Sequence, residues 1–241
     1  MKLDTNSNLY TFIYASILVI VVAAALAFTA VKLKPMQDKN IRVEKMQNIL
    51  QSIGVNANFE EAEKLYNSHI TDSYAVNSKG KKLNDVKAFD INLKIQFKEK
   101  PENRILPVYE AKTDKGETKI IIPLRGKGLW GPIWGYFALN NDYNTIYGAV
   151  FDHKGETPGL GAEIATPEFQ KQFKNKTLFD NENFVSITVY KGGKGSAEKA
   201  GDTMHGVDAI SGGTITSKGL ESMIKDDWLF SYKKFLSKHK K

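Results

Sequence analysis

The sequence predicts an α+β protein: one N-terminal transmembrane helix, then a soluble domain in which a mainly antiparallel sheet is flanked by helices. Three observations predict it. Phe12 to Val31 contains no charged residue, and about twenty such residues suffice to cross a hydrocarbon core of ~30 Å as a helix. Behind it, short apolar runs follow one another as strands instead of alternating with helical segments, the order of an α+β fold. The chain closes on Leu220, Met223, Ile224, Trp228, Tyr232, Phe235 and Leu236, a spacing that predicts a helix.

The expected organisation is a short tail over 1–11, the anchor over 12–31, a helical membrane-proximal region over 32–80 and the soluble domain over 81–241. The anchor reading is preferred to a cleaved signal peptide, whose apolar core runs about 7–15 residues. With no cysteine among the 241 residues, disulfides, thiolate metal sites and cysteine nucleophiles are excluded. The net charge of +7 comes from lysines spread among acids plus a basic terminus at Lys233, Lys234, Lys238, Lys240 and Lys241. No basic stripe interleaved with aromatics suggests nucleic acid.

Along the chain, Ile41, Val43, Met46, Ile49, Leu50 and Ile53 suit an amphipathic helix, and Phe59, Ala62, Leu65 and Tyr66 a second. Phe89, Ile91, Leu93, Ile95 and Phe97 alternate with polar residues, which predicts a strand. Further strands are expected near Ile105–Tyr109, Ile120–Leu124, Tyr136–Leu139, Ile146–Phe151 and Phe184–Tyr190, with the turn Asn140–Asn144 between two of them. Thr166-Pro167-Glu168 reads as an N-cap, a first-turn proline and a first-turn acid, opening a short helix through Phe169 and Phe173.

Three stretches carry candidate chemistry. Gly126-Lys127-Gly128-Leu129-Trp130-Gly131 fits GxGxxG, but an extended pattern follows Pro132 where a dinucleotide fold needs a helix, so that reading fails. A loop lining a flat aromatic ligand and a turn with packed aromatics both stay open. His153 to Gly161 is a glycine- and proline-rich loop, where ligand contacts concentrate. His153 has no carboxylate at ligand spacing, so no metal site is expected there. In Asp208-Ala-Ile-Ser-Gly-Gly-Thr-Ile-Thr-Ser217, hydroxyls and glycines precede the closing helix. Such a place can cap the helix or hold a phosphate on its free N–H groups.

Asp208 to Thr214 resembles the flavinylation motif D-x-x-[ST]-G-A-[TS] of the FMN-binding domain family, with Gly213 in place of the usual alanine. With GKGLWG, ETPGLG and the single anchor, the whole chain is similar to the C-subunit family of sodium-translocating NADH:quinone oxidoreductases (NQR). The alternatives are the G-subunit family of the Rnf ferredoxin:NAD oxidoreductases, which differs at Leu129-Trp130, and a membrane-anchored scaffold module.

The resemblance implies an electron carrier. NADH is oxidised elsewhere in the complex, and electrons pass through a covalent FMN on this chain towards a second flavin and ubiquinone. It further implies that Thr214 is esterified to FMN by a flavin transferase, with Ser211, Gly212, Gly213 and Thr216 around the phosphate. Thr157, Pro158, Gly159, Leu160, Gly161, Leu129 and Trp130 would line the ribityl chain and ring. Its implied partners are the other subunits of the complex and the membrane, not nucleic acid. The implied location is a bacterial inner membrane with the domain outside, although the cations following the anchor argue for the opposite orientation.

Overall fold

The computed structural model describes residue 5 and residues 7–241. The chain divides into two units, Met1–Lys45 and Met46–Lys241. Helix α1 runs from Asn8 to Ser52 and contains Pro35, whose ring nitrogen donates no hydrogen bond within the helix. It is the one helix among the described residues that is long and apolar enough to cross a membrane. Leu18, Val19, Ile20, Val21, Leu26 and Phe28 are all exposed. An apolar surface on every side suits lipid rather than water.

In the second unit, α2 (Ala62–His69) leads straight into β1 (Ile70–Asn77) and the two-residue β2 (Lys82–Leu83). The region 32–80 therefore holds a sheet strand as well as the expected helices. After α3 (Leu93–Gln96) come four long strands: β3 (Ile105–Lys112), β4 (Thr118–Lys127), β5 (Pro132–Asn140) and β6 (Ile146–His153). They complete a six-stranded sheet in the order β2-β1-β3-β4-β5-β6, antiparallel throughout.

The expected strand over 89–97 is not formed. The segment folds as a 3-10 turn, Ala88–Asp90, and the helix α3. Asn92 caps that helix by accepting from the N–H groups of Lys94 (3.0 Å) and Ile95 (3.4 Å). Leu93 and Phe97, four residues apart, pack on the core, while Ile95 faces outward. Four-residue spacing, also present in the sequence, prevails over alternation.

Beyond the sheet, Thr166 caps α4 (Pro167–Lys171) as its sequence predicts; the helix stops before Phe173. The expected strand Phe184–Tyr190 is divided between β8 (Asn183–Phe184), which pairs with β7 (Phe179–Asp180), and β9 (Thr188–Tyr190). Ser186, at φ 55°, breaks the extended path. Its hydroxyl donates to the Ile224 carbonyl. Helix α5 (Ser196–Lys199) precedes β10 (Gly206–Asp208), which pairs parallel to β9.

The closing helix is three pieces: α6 (Thr214–Lys225), a 3-10 turn over Leu229–Tyr232 and α7 (Lys233–His239). Arg104, 4% exposed, holds the break by pairing with Asp227 at 2.6 Å and donating to Ser231 Oγ at 3.0 Å. Trp228 and Tyr232 anchor the pieces on the sheet by donating to the carbonyls of Pro123 (2.8 Å) and Pro107 (2.9 Å). The main core, with Ile122, Leu124, Phe137, Phe151, Leu220, Met223 and Trp228, lies between this face and the helices.

Candidate functional site

Two glycines let α6 lie against the end of β4. A Cβ on Gly219 would stand 2.1 Å from the Lys127 carbonyl oxygen, and one on Gly126 2.7 Å from Met223 Cβ. Gly126 in the GxGxxG pattern thus serves close helix–strand packing. The hairpin between β4 and β5 is closed by a 2.8 Å bond from Gly128 N–H to the Gly131 carbonyl. It leaves Leu129 and Trp130 exposed, the tryptophan at 69%.

The loop after β6 approaches from the other side. His153 Nδ1 accepts from the Glu156 N–H at 3.1 Å, and Leu160 and Ala162 both donate to the Thr157 carbonyl. Gly159 sits at φ +74° and its N–H donates to Glu163. Its neighbour Gly161 is buried, and a Cβ there would stand 2.5 Å from both Glu156 Oε2 and Thr216 Oγ1.

The third wall is the start of α6. Gly213 occupies the N-cap position and no side chain caps the helix, so of the two readings the sequence left open the hydroxyl cap is not made. Gly213 N–H donates to Ile210 and Ser217 N–H to Gly213. The N–H groups of Thr214, Ile215 and Thr216 have no acceptor among the described residues. Free first-turn donors and the helix dipole make this end attractive to an anion. Lys218, one turn on, adds positive charge; its hydrogen bonding to and repulsion of Lys191 hold Lys191 below the usual lysine range. Asp208 stands apart, accepting from the N–H groups of Gly195 (2.6 Å) and Ala197 (2.9 Å).

These walls enclose a cavity of about 360 Å³ lined by Leu129, Trp130, Glu156, Thr157, Leu160, Gly161, Gly212, Gly213, Thr214, Ile215 and Thr216, within the usual range for small-ligand sites. Nine of the twelve residues singled out in the sequence are in this lining. Ser211, Pro158 and Gly159 are not. Sequence reasoning missed Ile215 and Glu156. The carboxylate of Glu156, 5% exposed, accepts from Trp130 N–H at 2.8 Å and from the Thr216 hydroxyl. Glu156 opens the ETPGLG stretch, but nothing local marks its role, because its partners come from distant segments.

The hydroxyls differ sharply. Thr216 is committed to Glu156, and Ser217 Oγ accepts from Ile210 N–H at 3.2 Å; both are buried. Ser211 and Thr214 are exposed, and of these only Thr214 lines the cavity. The arrangement fits FMN: apolar and aromatic walls for a flat ring, free N–H groups for a phosphate and the free Thr214 hydroxyl at the same helix start. A Cβ on Gly212 or Gly213 would intrude on Leu160 or Ile210.

Comparison with known proteins agrees. Residues 128–227 match the FMN-binding domain family. The chain is 34% identical to the C subunit of the Na(+)-translocating NADH-quinone reductase of Haemophilus ducreyi, covering 93% of this chain and 91% of that one. It is 32% identical to the Neisseria meningitidis serogroup A protein of the same name, over 91% and 89%. The crystal structure of the corresponding protein from Parabacteroides distasonis superimposes with a TM-score of 0.73 at 42% identity, covering 85% of this chain and 96% of that one. The Shewanella oneidensis NqrC structure gives 0.68 at 28%, over 82% and 97%. With these likenesses and the cavity at the start of α6, the chain belongs to the NqrC family, the C subunits of Na(+)-translocating NADH-quinone reductases, and carries that family's FMN-binding domain.

Proposed function

We propose that this chain is an electron-carrier subunit of a sodium-pumping NADH:quinone reductase and holds FMN by a phosphoester to Thr214 Oγ1. The observation that carries the attachment is the sorting of hydroxyls at the start of α6: of Ser211, Thr214, Thr216 and Ser217, Thr214 alone combines exposure, freedom from any side-chain hydrogen bond among the described residues and a place in the cavity lining. FMN, when bound, supplies the electron-accepting ring; the protein supplies position, polarity and access.

The roles of the chain's residues follow from their places. Free N–H groups of Thr214, Ile215 and Thr216 would bind the phosphate oxygens, helped by the helix dipole. Gly212, whose left-handed φ excludes an ordinary side chain, lets the backbone come close to the phosphate. Trp130, Leu129 and Leu160 would cover the ring and exclude water from part of it, while the openness of this side leaves a path for electrons to partner subunits. A flavin transferase would need the same exposure to reach Thr214. The anchor would hold the domain at a bacterial inner membrane, on its outer face.

The test is production of the full chain with a flavin transferase, then acid precipitation. Flavin absorbance should stay with the pellet, and mass spectrometry should find one added FMN on the peptide containing Thr214. Thr214→Ala should abolish both, whereas Ser211→Ala should leave both intact. Covalent flavin persisting in Thr214→Ala would refute the attachment.

A further inference from the structure

Resting on the flavin reading above, we infer that Glu156 is the positioning residue of the site: its carboxylate ties the Trp130 hairpin to the first turn of α6, and its negative charge in the cavity wall keeps the bound flavin harder to reduce. The tie is visible in the hydrogen bonds. One oxygen accepts from Trp130 N–H at 2.8 Å and the other from the Thr216 hydroxyl. Two acceptor oxygens and no donated bond are the pattern of an ionised carboxylate.

The surroundings are shaped to this group. A Cβ on Gly128 would stand 2.6 Å from Glu156 Oε1, and one on Gly161 2.5 Å from Glu156 Oε2. All three stretches singled out in the sequence therefore meet at this one side chain. Glu156 is nonetheless in none of the ion pairs formed among the described residues. A buried carboxylate without a cation is costly to keep, and a neutral amide can make the same two bonds. What the acid adds is charge, placed in the lining of the cavity. In a partly desolvated site a fixed negative charge opposes the arrival of electrons more strongly than it would in water.

The experiment uses the full chain, made with and without a flavin transferase. In E156Q the amide oxygen can accept from Trp130 N–H and the amide N–H can donate to Thr216, so mainly the charge is lost. Spectroelectrochemical titration of the flavin-loaded chain should give a more positive midpoint potential in E156Q, with flavin content unchanged; an unchanged potential overturns the electrostatic role. In the flavin-free chain, the Trp130 amide should exchange with deuterium roughly tenfold or more faster in E156A, but not in E156Q, because a bond to a charged group is lost. Unchanged exchange in E156A overturns the positioning role. Should E156Q hold no flavin, E156D, which keeps the charge, is expected to hold it; loss in both overturns the assignment as well. Failure of the flavin reading would show separately, as a parent chain without precipitable flavin.

Discussion

Between Ser211 and Ser217 the backbone decides which side chains are free to react. Gly212 has φ +75°, and a Cβ on it would also stand 2.6 Å from Leu160 Cδ2. Left-handed backbone costs an ordinary residue roughly 1–2 kcal/mol. Gly212→Ala is therefore expected to lower the melting temperature and, by pushing Leu160 from the cavity wall, to reduce flavin content. Gly213 has φ −97°, which any residue adopts. Its added Cβ would meet Ile210 Cγ2 at 3.0 Å and the Leu160 carbonyl carbon at 3.2 Å, contacts relieved by a few tenths of an ångström. Alanine also restricts the unfolded chain, worth about 0.4–1 kcal/mol in its favour. Gly213→Ala, which supplies the alanine of the motif this stretch resembles, should accordingly stay within about 1 kcal/mol of the parent and keep its flavin. Thermal melts and flavin-to-protein ratios check the pair, and equal losses in both variants would contradict this conformational account.

At the scale of elements, the seat of α6 on β4 decides whether the cavity exists. Alanine is a better helix former than glycine by about 1 kcal/mol, so propensity alone favours Gly219→Ala. The Cβ would, however, lie 2.1 Å from the Lys127 carbonyl oxygen and 3.5 Å from Gly128 Cα. The first contact forces α6 away from the strand end, and overpacking of this kind costs about 1–3 kcal/mol. Packing should win: net destabilisation of up to about 2 kcal/mol in urea unfolding, with lower flavin content because the shift falls on the base of the Trp130 hairpin. A more stable variant would show that α6 has room to move. Much of this arrangement was legible in the sequence, since β3 to β6 have strong apolar runs and the glycines before α6 mark a helix start. The segment 89–97 misled because Phe89, Leu93 and Phe97 satisfy a period of four as well as alternation, and the Asn92 cap settles the choice only once the core supplies a surface. Glu156 was illegible for another reason: its bonds reach 26 and 60 residues along the chain, and no local pattern encodes such a meeting.

For the whole molecule, orientation sets sequence statistics against function. Lys32, Lys34, Lys39, Arg42 and Lys45 follow the apolar run and only Lys2 precedes it, so the positive-inside tendency would keep the soluble unit in the cytoplasm. That tendency governs short flanking loops, whereas long domains translocate largely regardless of charge, and the unit Met46–Lys241 is long. The proposal of an outward-facing domain follows that second consideration, and the absence of cysteine makes it testable without background. Lys115→Cys places a thiol at the exposed turn between β3 and β4, and Thr5→Cys one at an exposed position before the membrane helix. In cells with a permeabilised outer membrane and an intact inner membrane, a charged, membrane-impermeant maleimide should label Lys115→Cys and spare Thr5→Cys until the inner membrane is opened. The opposite pattern would place the FMN site in the cytoplasm, and the flanking cations would then be the stronger determinant of topology in this chain.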